Sequence, residues 1–283
     1  MRITIGIDIG GSTTKIVGVS GNEILAPATI RANDPVASLF GAFGKFVDGN
    51  GLNLADISKV MVTGVGSSFI TRPIYGLPTA KVAEFLANGL GGLYLSGLER
   101  AVIVSMGTGT ALVMAGQDKI EHIGGTGIGS GTILGLSSRM LNIRDIKLII
   151  QAAETGDLSK VDLRVGDLTK DAVPSLPRHM TASNFGRISD VATNSDIALG
   201  IINLVLQSIG MTAVFASKNT GLDKVVLIGK LTAIPQCPGI FNALTELFGV
   251  SFIIPQNSEY ATAVGAALAF LRERAYAELG TGV

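Results

Sequence analysis

The chain begins with an apolar, β-branched run from Ile3 to Ile9 that is closed by Gly10-Gly11, and two more such runs follow at 14–19 and 23–30, divided by Gly21-Asn22. Runs of this length and composition predict strands, and the Gly-Asn pair predicts a tight hairpin turn, so residues 3–30 read as a three-strand meander. The period then changes. Val36, Leu39, Phe40, Phe43 and Val47 recur at three- and four-residue steps, which predicts a helix over 35–48; a short buried strand over 59–63 closes on Gly64, and a helix over 80–95 follows. From Ala101 the opening theme returns as strand 101–105, the turn Gly107-Thr108-Gly109-Thr110, strand 111–115 and, after Gly116-Gln117-Asp118, strand 119–123. The remainder predicts a helix at 129–141, an amphipathic segment at 144–154, a loop-dominated insertion over 157–190 with Pro174 and Pro177, and a long helix at 196–219. It ends with strand 224–229, helix 238–248, strand 250–254, a closing helix at 259–275 and a frayed Gly280-Thr281-Gly282-Val283 tail.

A strand, glycine turn, strand, strand unit that occurs twice, each time followed by helices and a further strand, is the layout of the duplicated actin-like (ribonuclease H-like) ATPase fold. The chain is therefore expected to be α/β, with an N-terminal lobe over 1–97, a C-terminal lobe over 98–283, and the two glycine turns facing each other across a nucleotide cleft.

Composition narrows the function. Hydrophobic residues make up 47% and charged residues 16% of 283, mean hydropathy is +0.48, and disorder is excluded. Lys+Arg and Asp+Glu are both 22 and Trp is absent, so neither the basic excess nor the aromatic platform of a nucleic-acid surface is present. The 37 glycines are clustered rather than periodic, which points to backbone approaching a ligand. A single cysteine, Cys237, fits a reducing compartment, and the apolar stretches are interrupted by Gly, Lys or Asp, so the chain is expected to be cytoplasmic with no signal peptide or membrane span.

Three glycine-rich segments carry the candidate chemistry. In Asp8-Ile9-Gly10-Gly11-Ser12-Thr13-Thr14-Lys15, bare backbone amides, three hydroxyls and an ammonium suit a phosphate chain, while Asp8 can hold hydrated Mg²⁺; an ordinary hairpin capped by Asp8 is the plainer alternative. Gly107, Thr108, Gly109 and Thr110 occupy the matching place in the second unit and form the second expected phosphate loop. Gly124 to Thr132, including Gly125, Thr126 and Gly129, opens a helix whose first amides suit an anion, although tight helix–strand packing would use the same glycines. Phosphoryl transfer to a hydroxyl also needs a base near the acceptor, and Glu84 in the otherwise apolar 80–95 helix is the candidate. His122 and His179 lack metal-ligand spacing.

These residues resemble the type II pantothenate kinases in their bacterial branch. The resemblance rests on GIDIGGSTTKIV at 6–17, the turn at 105–110 with HIGGTGIGSGTILGL at 122–136, DLTKDAVPSLPRHMTASNFG at 167–186, VVLIGK at 225–230 and TAVGAALAF at 262–270. It implies ATP and Mg²⁺ as cofactors, pantothenate or a similar alcohol as acceptor, Glu84 as base, Gly229 on the adenosine side, and Glu84, Thr108, His122 and Thr126 at the acceptor. It also implies a homodimer built on the long 196–219 helix and inhibition by coenzyme A or its thioesters. Two features depart from the family pattern. His122 stands where an arginine is usual, and a neutral imidazole is a poorer carboxylate partner; the interval from Glu84 to Gly89-Leu90 is about two residues short, which would displace the base. A sugar or N-acetylhexosamine kinase and a non-catalytic ATP-gated activator share the scaffold, but activators of the dehydratase type need cluster-binding cysteines, and one Cys237 is too few.

Overall fold

The computed structural model describes residues 3–21, 23–31, 34–171 and 176–280, with the side chains of 272–280 excluded. Asn22, Pro174 and the 281–283 tail, named above, lie outside the described residues. Two sheets carry the fold, and they repeat one topology. In the first, β1 (Ile3–Ile9) pairs antiparallel with β2 (Thr14–Ser20), which carries both β3 (Glu23–Ile24) and β4 (Ala28–Ile30). Helix α1 (Pro35–Gly49) then returns the chain to β5 (Ile57–Thr63), parallel to β1, and β6 (Thr79–Lys81) adds to β5, giving the order β3-β2-β1-β5-β6. The 23–30 strand of the sequence reading is thus two pieces, broken at 25–27 where Pro27 has no N–H for a ladder.

Helix α2 (Glu84–Ser96) leads into the second sheet, where β7 (Arg100–Met106), β8 (Thr110–Gly116) and β9 (Ile120–Thr126) form the antiparallel meander. Helices α3 (Ser130–Met140) and α4 (Ile146–Ala153) follow. The 157–190 insertion is more ordered than a loop: β10 (Leu163–Arg164) pairs with β11 (Thr181–Ser183), with a single helical turn, α5 (Val165–Leu168), after β10. Helix α6 (Asn194–Thr220) precedes β12 (Lys224–Ile228), which runs parallel to β7; α7 (Cys237–Phe248) leads to β13 (Ser251–Ile253), parallel to β12. The order β13-β12-β7-β8-β9 repeats the first sheet strand for strand.

The last helix, α8 (Ala261–Gly280), ties the halves together. It packs on the first sheet, where Gly6 meets Ala263, while α2 packs on the second, where Gly92 meets Ile103. The two helices cross backbone to backbone: a Cβ on Gly91 would overlap the Ala261 carbonyl, and one on Gly265 would overlap that of Ala87. Thr262 Oγ1 donates to Asn88 Oδ1 at 2.7 Å beside this crossing.

Helix α6 corrects the expectation that every apolar stretch is cut short. By length and composition it could cross a membrane, yet 61% of its most apolar window is buried inside the fold, as in a core helix. Ile201, Val205, Ile209 and Val214 sit in the core of the second lobe, so the chain itself covers much of the apolar surface of the helix on which a homodimer was expected.

Candidate active site

Equivalent strand ends from the two sheets converge on a cleft of about 500 Å³. From the first sheet come Asp8, Gly10, Gly11, Ser12, Thr13 and Lys15; from the second come Gly107, Thr108, Gly109, Thr110 and Thr126. The two glycine turns do face each other, for a Cβ on Gly11 would lie 3.8 Å from Thr108 Oγ1. Each turn is closed by its own backbone, Gly10 N–H donating to the Thr13 carbonyl at 3.0 Å and Gly107 N–H to the Gly109 carbonyl at 2.9 Å.

The parallel strand beside each meander ends on a glycine that no other residue could replace. Gly64 after β5 has φ +84°, and a Cβ there would lie 2.6 Å from both Asp8 Oδ1 and the Ile9 carbonyl oxygen; Gly229 after β12 has φ +94°, and a Cβ would lie 2.7 Å from the Met106 carbonyl. A short 3-10 turn follows each, placing Val65 and Lys230 in the cleft wall. The sequence reading included Gly229 and missed Gly64, Val65 and Lys230, although the duplication that pairs β5 with β12 would have matched them.

Electrostatically the cleft is built from opposed charges. Lys15 is buried beside its cross-strand partner Asp8, and its Nζ donates to the Glu259 carbonyl at 2.7 Å, leaving two of its three donors for a ligand. Burial pushes the Asp8 carboxyl above the usual range, opposed by the Lys15 ammonium. Glu84, the first residue of α2, lines the same cleft, and burial first and the Asp8 charge second push its carboxyl up as well. The Asp8 charge makes Glu84 costlier to ionise, and a cation beside Asp8 would relieve that cost. Among the described residues no three metal-ligating side chains cluster, and Asp8 and Glu84 are the carboxylates that line the cleft.

Four expected site residues stand outside this wall. Thr14 is buried behind the first turn, accepting from Ser38 Oγ at 2.6 Å. Gly125 lies within β9, paired with Ala111, so the segment 124–126 is strand rather than loop. Gly129 packs against the second turn, and the first amides of α3 are spent there: Ser130 N–H donates to the Gly107 carbonyl at 2.9 Å and Gly131 N–H to the Thr108 carbonyl at 3.0 Å. The third glycine segment therefore braces the second glycine turn from behind. His122 is exposed on β9 and stacks on Phe85 instead of lining the cleft.

Residues 101–240 match the Fumble family model. A type II pantothenate kinase of Bacillus cereus (strain G9842) is 26% identical over 278 residues, covering 95% of this chain and 98% of that protein. Among solved structures, the activator of 2-hydroxyisocaproyl-CoA dehydratase from Clostridium difficile with bound ADPNP superposes with a TM-score of 0.69 at 19% identity, covering 98% of this chain and 97% of that one. A ROK family glucokinase from Streptomyces griseus in complex with glucose and AMPPNP gives 0.59 at 13% identity, covering 94% and 98%. With its duplicated sheets and facing glycine turns, the chain has the actin-like ATPase fold and is similar to type II pantothenate kinases over nearly its whole length.

Proposed function

We propose that this protein is an ATP-dependent kinase that phosphorylates the primary hydroxyl of pantothenate to 4'-phosphopantothenate, the first step of coenzyme A biosynthesis. The observation that carries the reading is the single cleft in which the two phosphate turns, Lys15, Asp8 and Glu84 meet; the curated relatives supply the acceptor. The turn amides and the hydroxyls of Ser12, Thr13 and Thr108 orient the triphosphate, and the free donors of Lys15 hold its terminal phosphates. Mg²⁺ held near Asp8 would supply neutralisation of the phosphate charge. Glu84 accepts the proton of the acceptor hydroxyl as the new P–O bond forms and the β–γ bridge bond breaks, ADP leaving with the bond electrons. The lobes closing about the α2–α8 crossing would exclude water and align the two oxygens.

The non-catalytic reading is favoured by one finding, the likeness in fold to a dehydratase activator. Against it, the lone Cys237 is buried, and its thiol is pushed up to about 12 by burial. ADP release measured with and without pantothenate decides between them. The kinase reading expects release that depends on pantothenate and falls on the order of 10²–10⁴-fold in Glu84→Gln, which keeps the shape and cannot accept a proton. Slow release indifferent to every alcohol tested would mark a switch, and turnover only with a hexosamine would keep the fold and change the acceptor.

A further inference from the structure

The Phe85–His122 stack lies where both departures noted in the sequence meet. Phe85, directly after Glu84, lies face to face with His122, ring centroids 3.9 Å apart and planes within 7°. The contact is in register with a second one. Phe85 and Gly89 are four residues apart on α2, so they share a face; His122 and Ile120 are two apart on β9, so they share a face too. Gly89 packs against Ile120, where a Cβ would lie 2.6 Å from the isoleucine Cγ2. The start of α2 is thus laid on β9 at two consecutive points, aromatic on aromatic and glycine on isoleucine.

That anchoring matters because the first turn of α2, which precedes the crossing with α8 at Ala87 and Gly91, is uncapped. The N-cap is Ala83, with no side-chain cap hydrogen bond, so the first turn lacks the usual fastening by Ser, Thr, Asp or Asn. Glu84 is the first residue of that uncapped turn and the candidate base. Phe85 and His122 are both exposed, so the pair is not there to fill a core.

Resting on the kinase reading above, we infer that His122 is a positioning residue: it stacks on Phe85, fixes the first turn of α2 against β9 and so holds Glu84 at the cleft, without contacting the acceptor. The imidazole works here as a flat ring, and another flat ring serves in its place. An acceptor-binding residue behaves differently, because its removal weakens ground-state binding.

The test is steady-state kinetics of wild type, His122→Ala and His122→Phe with pantothenate and ATP. Expected are a fall in kcat on the order of tenfold in His122→Ala with the pantothenate KM within about twofold, and recovery of most of that loss in His122→Phe. A pantothenate KM raised in both variants at unchanged kcat would place His122 on the acceptor and overturn the inference, as would an unaltered kcat in His122→Ala. A readout independent of turnover accompanies it. His122 is one of two histidines, so its ring protons are assignable by difference from His122→Phe, and the Phe85 ring current should shift them upfield in wild type but not in Phe85→Leu. Unshifted resonances in wild type would sink the stack. Failure of the wild-type protein to phosphorylate pantothenate would instead remove the acceptor assignment, and the same kcat comparison would be run with the alcohol it does phosphorylate.

Discussion

Lys230 shows how a side chain can belong to a site without any local mark of it. It follows Gly229 at the end of β12, is half-buried in the cleft wall, and makes no hydrogen bond or ion pair among the described residues. Burial lowers its pKa, and the charges of Arg31 and Lys15 lower it further, partly offset by Asp145 and Glu259. An ammonium held half out of water beside two other cations is a poor arrangement unless an anion joins it. The nucleotide phosphates are that anion in the proposed reaction, so Lys230→Ala should raise the KM for ATP on the order of tenfold with little change in the KM for pantothenate. Unchanged ATP kinetics would remove Lys230 from the site. The first glycine turn was legible as part of the cleft wall because glycines, hydroxyls and a lysine stand together in eight consecutive residues. Lys230, Val65 and Gly64 were not, because what makes them cleft residues is a strand ending next to another strand far away in sequence. His122 was legible as a residue of interest and misread in placement, since nothing in its neighbours along the chain reveals Phe85.

At the scale of elements, the crossing of α2 and α8 does most to fix the geometry of the site. Each helix belongs by sequence to one half and lies on the sheet of the other, and Gly91 and Gly265 let them touch backbone to backbone. Gly265→Ala would drive a methyl into the Ala87 carbonyl, three residues after Glu84, and a backbone atom cannot rotate away as a side-chain tip can. The expected outcome is a loss of about 1–3 kcal/mol in stability, with kcat falling more than the folded fraction accounts for because the helix carrying Glu84 shifts. Wild-type kcat in a destabilised Gly265→Ala would show that the crossing does not position the base. The helices and long strands were legible from their periods, including both meanders and the α1 and α6 spans. The three-residue β6 was not, since it is too short to show a period. The strand expected to end at 123 runs on to Thr126, because glycine alone does not distinguish the end of a strand from a strand pressed closely on its neighbour, which is what β9 does against β8.

For the whole molecule the open question is what covers the outer layer of the second lobe. The apolar faces of α6 are absorbed largely by α3, α4, α7 and the sheet, yet several large apolar side chains remain outside: Phe215 on α6 is 64% exposed, Leu148 on α4 56%, and Val191, just before α6, 73%. Single exposed apolar residues are common on any surface, but α4 and α6 pack side by side, and both leave an apolar residue in water. An isologous contact through this layer would cover them and leave the cleft, which opens between the sheets, free for nucleotide. A homodimer is therefore expected, with a mass by light scattering near twice 29.1 kDa that holds through the micromolar range. Phe215→Glu should shift the population toward monomer without unfolding it, since the new carboxylate is accommodated in water on a free chain and buried unpaired in a dimer. A single species near 29 kDa for the wild-type protein at every concentration would refute the dimer, and an unshifted dimer in Phe215→Glu would move the interface off α6.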